Sequence, residues 1–188
     1  MENYSENRTA HLEEYAKENN LPVGGSFNSK GEYGHILKIE EGQSQEDVIQ
    51  QFNILGNYPL DGLKEIHKYA HHLNSSQILC YNYFRSMIDG AMIDGKGHPT
   101  QELIDWVGNH IGVKITNKAE CEFEYVEDKK EYTHFDFYIE EGDVKVFFEI
   151  KYTEEFDTKQ FVDEGEEFKS YKTKFDNVYK EMLQKCQC

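Results

Sequence analysis

The sequence predicts an α+β fold, with amphipathic helices in its first part and an antiparallel meander of strands after them. Three observations predict it. Apolar residues recur at threes and fours in several segments between residues 46 and 112. From residue 113 the period changes to two, in segments rich in β-branched and aromatic residues. A glycine-bearing acidic pair, Glu141-Gly142, then joins the last two of those segments as a tight turn.

Taken in order, residues 1–45 are polar and punctuated by Gly24, Gly25, Gly31, Gly34 and Gly42. They read as an arm of loops with one short strand over 35–39, and residues 46–188 read as a single domain. EDVIQQFNIL (46–55) has the spacing of a short helix, and LKEIHKYAHHL (63–73) places Leu63, Ile66 and Ala70 on one helical face. Asn74 or Ser75 can cap a helix through 76–89, since their side-chain oxygens accept from orphan N–H groups. Its two adjoining stripes, Leu79–Tyr83–Met87 and Cys80–Phe84–Ile88, predict burial over a broad face. GAMIDGKGHP (90–99) reads as a turn region, and Thr100 as the cap of the helix TQELIDWVGNHIG. Strands are expected at VKITN (113–117), ECEFEYVED (120–128), YTHFDFYIE (132–140) and DVKVFFEIKYTE (143–154). The tail from Thr158 has a polar helical pattern.

Composition narrows the function. The 188 residues are 38% hydrophobic and 14% aromatic, so the chain can bury a core. No run approaches the ~18 apolar residues of a membrane span, and MENYSENRTAHLEEY lacks the apolar stretch of a signal peptide. A cytoplasmic protein is expected, with no membrane partner. Cys80 and Cys121 sit in apolar segments as reduced core thiols, and the terminal Cys186 and Cys188 lack the spacing of a zinc site. Net charge is −16, from 36 acids against 20 bases. Phosphate contacts need Lys and Arg, so the charge argues against a protein that merely coats nucleic acid, and any DNA contact must come from a local arrangement, a metal ion or a partner.

The apolar hairpin THFDFYIEEGDVKVFFEIKYTE carries Asp136, Glu149 and Lys151 inside its strands. A turn centred on Glu141-Gly142 opposes Asp136 to Phe147, His134 to Glu149 and Tyr132 to Lys151. The three charges then share one face, with the carboxylates as diagonal neighbours ~7–8 Å apart at the backbone. The other face carries Phe135, Phe137, Ile139, Val146, Phe148 and Ile150, a core face. An acid two residues before a Lys recurs at Asp94, Glu127, Asp128, Asp143, Asp157 and Glu167, so a merely solvated face is the plain alternative. Only the instance at Glu149 lies in a strongly apolar strand with an acid in register beside it. Two carboxylates and a Lys suit a divalent ion such as Mg²⁺, which prefers oxygen ligands and substrate phosphate. The Ile150 backbone carbonyl could complete its shell, and Lys151 could orient or help deprotonate a water.

Asp136, followed after twelve residues by Glu149-Ile150-Lys151, resembles the PD-(D/E)XK nuclease superfamily. HHLNSSQ (71–77), FEYV (123–126), THFDFYI (133–139) and FFEIKYTE (147–154), in that order, resemble a bacterial group classed with restriction endonucleases on that fold. The resemblance spans about residues 60–155. It implies a restriction-endonuclease-like core: a central mixed sheet with an antiparallel meander, flanked by helices. It also implies metal-dependent hydrolysis of DNA phosphodiesters by a restriction or defence enzyme. Mg²⁺ is the implied cofactor and Mn²⁺ a substitute. Asp136 and Glu149 are implied as metal ligands and Lys151 as the water-positioning base. Phe135 stands where the superfamily often has Pro. A further acid is implied, from Glu102 on the TQELIDWVGNH helix or Glu124 on the first strand, and spacing does not choose between them. Residues 155–188 offer one helix pattern where the fold has a further strand and helix, so a shortened C-terminus is expected. DNA is the implied partner, and a homodimer is an open possibility.

Other residues have plainer readings. His67, His71 and His72 could share a metal, but no zincin-like Glu accompanies them, and packing suffices. Ser76 and Gln77 are cap residues by position, and the resemblance puts them at the site's edge. His134 could support the site or make a structural hydrogen bond. Trp106 reads as core, and Gly95-Lys96-Gly97 as a turn. The rival to an enzyme is a non-catalytic acidic protein, a DNA mimic or decayed nuclease domain, whose charge attracts a basic partner.

Overall fold

The computed structural model describes residues 4–26, 31–126 and 134–151. Of the two compact units into which the chain divides, the description concerns Met1–Tyr125 with His134–Glu155. Its helices are α1 (Tyr4–Glu18), α2 (Gln45–Phe52), α3 (Ser76–Phe84) and α4 (Gln101–His110). Strands β1 (Val23–Ser26) and β2 (Glu32–Leu37) pair in a small antiparallel sheet. The strands β3 (Ile88–Ile93), β4 (Lys96–Pro99), β5 (Glu120–Val126), β6 (His134–Glu141) and β7 (Val144–Phe148) form a five-stranded antiparallel sheet in sequence order. This is an α+β architecture with a restriction-endonuclease-like sheet and flanking helices. Among the described residues the sheet has no parallel pair, so it is antiparallel where a mixed one was expected.

Each helix start has a local cause. Ser44 opens α2 with a reciprocal cap: Asp47 N–H donates to Ser44 Oγ at 3.1 Å, and Ser44 N–H donates to Asp47 Oδ2 at 3.2 Å. Ser75, rather than Asn74, caps α3 by accepting from Ile78 N–H at 3.4 Å. Thr100 stands at the cap of α4, but its hydroxyl donates to the Met87 carbonyl at 3.0 Å instead. The core lies between the helices and one face of the large sheet. Phe84 of α3 stacks on Phe137 of β6 at 4.2 Å, and Phe123 of β5 packs on Phe137 at 4.8 Å. Trp106 joins its border, 6.0 Å from Phe84, as expected of a core residue.

Several expected elements differ. The helix expected through 76–89 ends at Phe84, a short 3-10 turn follows, and Ile88 already opens β3. The polar residues 1–45, read as loops with one strand, contain α1 and the β1–β2 sheet, of which β2 ends where the strand over 35–39 was placed. GAMIDGKGHP is the β3–β4 hairpin, turning at Asp94 and Gly95, both at positive φ as a type I′ turn requires. VKITN is not a strand. Thr116 leaves the ladder because its N–H and hydroxyl both donate to the Glu141 carboxylate, at 2.6 and 2.5 Å.

LKEIHKYAHHL is not a helix either, because distant groups take its backbone. Gln45 Nε2 donates to the His67 carbonyl at 2.9 Å, and Asn53 Nδ2 to the Ala70 carbonyl at 3.1 Å. From β2, Leu37 N–H donates to His71 O at 3.2 Å. The helical pattern expected after Thr158 lies outside the described residues, as do Tyr132, Cys186 and Cys188.

Candidate functional site

The site begins with the β6–β7 register. Phe137 pairs with Phe148, and Glu141 with Val144, so the turn is centred on Gly142 and Asp143. Positive φ at Gly142 alone matches a turn with glycine in its first central place. The register shifts by two residues from the expected one, which keeps the faces and changes the partners. Asp136 now stands level with Glu149, not Phe147, and His134 level with Lys151.

The ladder also stops early. β7 ends at Phe148, so Glu149 and Lys151 follow the strand instead of lying inside it. The reason is local: Ile150 N–H donates to Asp136 Oδ2 at 2.5 Å, a side-chain acceptor where the next rung would be. Lys151 Nζ then donates to Glu149 Oε1 at 2.5 Å.

Strict alternation fails at the two inward carboxylates. On β5, Phe123 packs against Phe137 in the core, yet Tyr125 stacks at 3.8 Å on Tyr138, which lies on the opposite face. Glu124 between them has φ +52°, outside extended conformation, and this reverses the strand's faces. On β6, Phe135 was expected beside Phe137. It packs instead on Phe147, at 4.6 Å, while Phe137 meets Phe148. Asp136 sits at that second change. The other predicted core residues, Phe137, Ile139, Val146, Phe148 and Ile150, do join the main cluster.

These departures bring Glu124 and Asp136 to one cleft of about 380 Å³. Residues 74–77 at the start of α3 also line it, together with His67, Tyr69 and His72. The buried Gln77 side chain holds three partners. Its Oε1 accepts from His67 N–H at 2.9 Å, and its Nε2 donates to the Glu65 carbonyl at 3.0 Å and Glu124 Oε1 at 3.1 Å. His134 Nδ1 is 3.8 Å from Glu124 Oε2. Burial pushes the Glu124 carboxyl up to about 7; Asp136, Glu149 and Glu65 push the same way, and the Gln77 bond opposes them. Beneath the site, burial raises the Cys80 thiol well above its usual range, and Asp136, Glu124 and Glu149 each add to that. The three carboxylates therefore act on the same point of α3.

Glu124, not Glu102, is the further acid that the structure brings to Asp136. Glu102 is exposed in the first turn of α4 and lines no part of the cleft. Gln77 and Ser76 both line the cleft, and Gln77 is also the clamp on Glu124. Sequence spacing missed that clamp, because its partners lie 10 to 47 residues away. Among the described residues, no group of three or more His, Cys, Asp or Glu stands ready to hold a metal ion. Of the histidines His67, His71 and His72, His71 is engaged through its Nδ1 in a hydrogen bond with Gln45 Nε2, at 3.3 Å. No helix among the described residues is long and apolar enough to cross a membrane.

No curated protein matches the chain. No solved structure matches it either. A family model described as "Restriction Endonuclease associating with ARP" matches residues 9–188, which include every element of the cleft. The chain belongs to that restriction-endonuclease-associated family, REase-ARP.

Proposed function

We propose that the protein is a metal-dependent DNA endonuclease of the PD-(D/E)XK type, working in a restriction or defence system in the cytoplasm. The observation that carries this reading is the meeting of Glu124 and Asp136 in one cleft, with the Glu149–Lys151 pair level with Asp136. The donor set fits Mg²⁺, with Mn²⁺ as a substitute: it is all hard oxygen, from Asp136, Glu149 and the Ile150 carbonyl, and Mg²⁺ needs only one or two carboxylates beside water and phosphate. When bound, the ion supplies a Lewis acid for the phosphoryl oxygen and a more acidic water.

The chain's own residues do the rest. Asp136 is held in place by Ile150 N–H. Lys151 orients the attacking water and offsets negative charge on the phosphorane-like transition state. Glu124, kept partly protonated near neutral pH by burial, can exchange a proton with that water or its neighbours. DNA is the partner on this reading, a homodimer is one assembly that would present two such sites, and ARP is the associate that the family description suggests.

A second reading is favoured by the net charge of −16: an acidic, non-catalytic protein that binds a basic partner. Calorimetry with Mg²⁺ and Mn²⁺, on wild type and Asp136→Asn, separates the two, alongside nicking of supercoiled plasmid. The nuclease reading expects metal binding that the substitution removes, and metal-dependent nicking. Absence of both, with tight binding to a basic protein that is lost in high salt, would overturn it in favour of the second.

A further inference from the structure

The cleft beside Glu124 and Asp136 holds chemistry that hydrolysis does not use. His67, Tyr69 and His72 line it as an aromatic group. The His67 and Tyr69 ring centroids are 5.2 Å apart at 68°, and those of Tyr69 and His72 are 5.3 Å apart at 41°. Lys68 Nζ lies 4.5 Å from the Tyr69 ring centroid, so a cation backs the same group. Asn74 and Ser76 add an amide and a hydroxyl to the lining. Aromatic rings beside small hydrogen-bonding groups are what an unstacked base meets in proteins that bind single strands.

Charge points the same way. Duplex DNA carries a phosphate charge per ~1.7 Å of axis and a single strand one per ~3.4 Å, so duplex needs the denser row of cations. This chain has 36 acids against 20 bases, and Lys64 and Lys151 are each already paired with a carboxylate. Stacking of a base on an aromatic ring needs no such row and tolerates any sequence.

We propose that the His67–Tyr69–His72 group receives an unpaired nucleotide, so that the DNA presented to Asp136 is single-stranded or locally unpaired. The inference rests on the nuclease reading for the cut, though not for the binding.

The test is fluorescence anisotropy of the full chain with a labelled short single strand and with the same strand in duplex, in Ca²⁺ and moderate salt. Wild type, Tyr69→Ala, Tyr69→Phe and His67→Ala are compared, each shown to be folded by circular dichroism. The expected result is tighter binding of the single strand. Tyr69→Ala should weaken it at least about fivefold, and Tyr69→Phe should stay within about twofold of wild type. Equal or tighter binding of duplex, no binding of either, or no change on both Tyr69→Ala and His67→Ala would overturn the inference. Should Tyr69→Ala fail to fold, His67→Ala against Tyr69→Phe decides. Single-strand preference without any metal-dependent cutting would sink the nuclease reading alone; cutting of duplex without that preference would sink this inference alone.

Discussion

The Gln77 side-chain amide donates to Glu124 Oε1 at 3.1 Å, joining the first turn of α3 to the middle of β5. The same amide nitrogen also donates to the Glu65 carbonyl, and the amide oxygen accepts from His67 N–H. One side chain thus fixes the carboxylate and the irregular segment on which the aromatic group is mounted. Gln77→Leu removes all three bonds and leaves part-buried polar groups unmatched, where a fully buried one costs ~1–3 kcal/mol. A loss of about 3 kcal/mol in urea denaturation is expected. Gln77→Glu keeps the acceptor for His67 N–H but loses the donor, so it should fall between wild type and the Leu variant in mild acid.

Asp136→Asn keeps an acceptor for Ile150 N–H and should fold normally. On the nuclease reading, it and Lys151→Ala should each lower the cleavage rate roughly a thousandfold, about 4 kcal/mol of barrier. Single-turnover cleavage measures this. Rates near wild type in either folded variant would remove these residues from the chemistry.

Two groups set opposing pH dependences of stability. Glu124, raised by burial from 4.5 to about 7, holds more protons in the folded state than in the unfolded one between those values. Its contribution is therefore present in acid and lost as pH rises toward 7, on the order of 3 kcal/mol. His72 is lowered from 6.5 to about 4, by burial first and then by His71, His35 and His67; Glu13 faces His35 and opposes part of His35's own shift. Its contribution is present above pH 6.5 and lost as pH falls toward 4, by a similar amount.

The two windows overlap, so in the metal-free wild type the slopes of these two groups offset each other between about pH 4.5 and 6.5, while His35 and His71, also lowered, add to the rising side. Glu124→Gln should expose the rising slope, and His72→Asn the falling one. Urea denaturation across that range, in chelator, checks both signs.

Gly62 is packed against the core at the foot of the irregular segment. A Cβ there would lie 2.4 Å from Met92 Sδ, 3.0 Å from Tyr81 Cε2 and 3.1 Å from Phe123 Cδ2. The thioether can move, but the two rings are held in the core cluster. Gly62→Ala should cost about 1–3 kcal/mol by overpacking. A shift in the thermal midpoint measures it.

Helices α2, α3 and α4 were legible because each carries its own period, and α3 and α4 also a start signal, at Ser75 and Thr100. The β6–β7 hairpin was legible from alternation, except for the change of face at Asp136. Its register was not, since Glu141-Gly142 and Gly142-Asp143 both make acceptable turns and only the folded ladder chooses. LKEIHKYAHHL misled for a different reason. Its helical pattern is real, but Gln45, Asn53, Gln77 and β2 bind its backbone from elsewhere in the chain. In the site, Asp136, Glu149 and Lys151 could be seen as a group, while the choice of Glu124 over Glu102 required a backbone reversal that no residue type announces.

On the nuclease reading, that reversal sets stability against activity at a single position. An L-residue held at left-handed φ within a strand is strained by about 1 kcal/mol, and Glu124 adds a carboxyl that burial disfavours in its charged form. Glycine would relieve both. A library selected only for heat resistance should therefore discard Glu124 early, whereas one selected for activity should retain it.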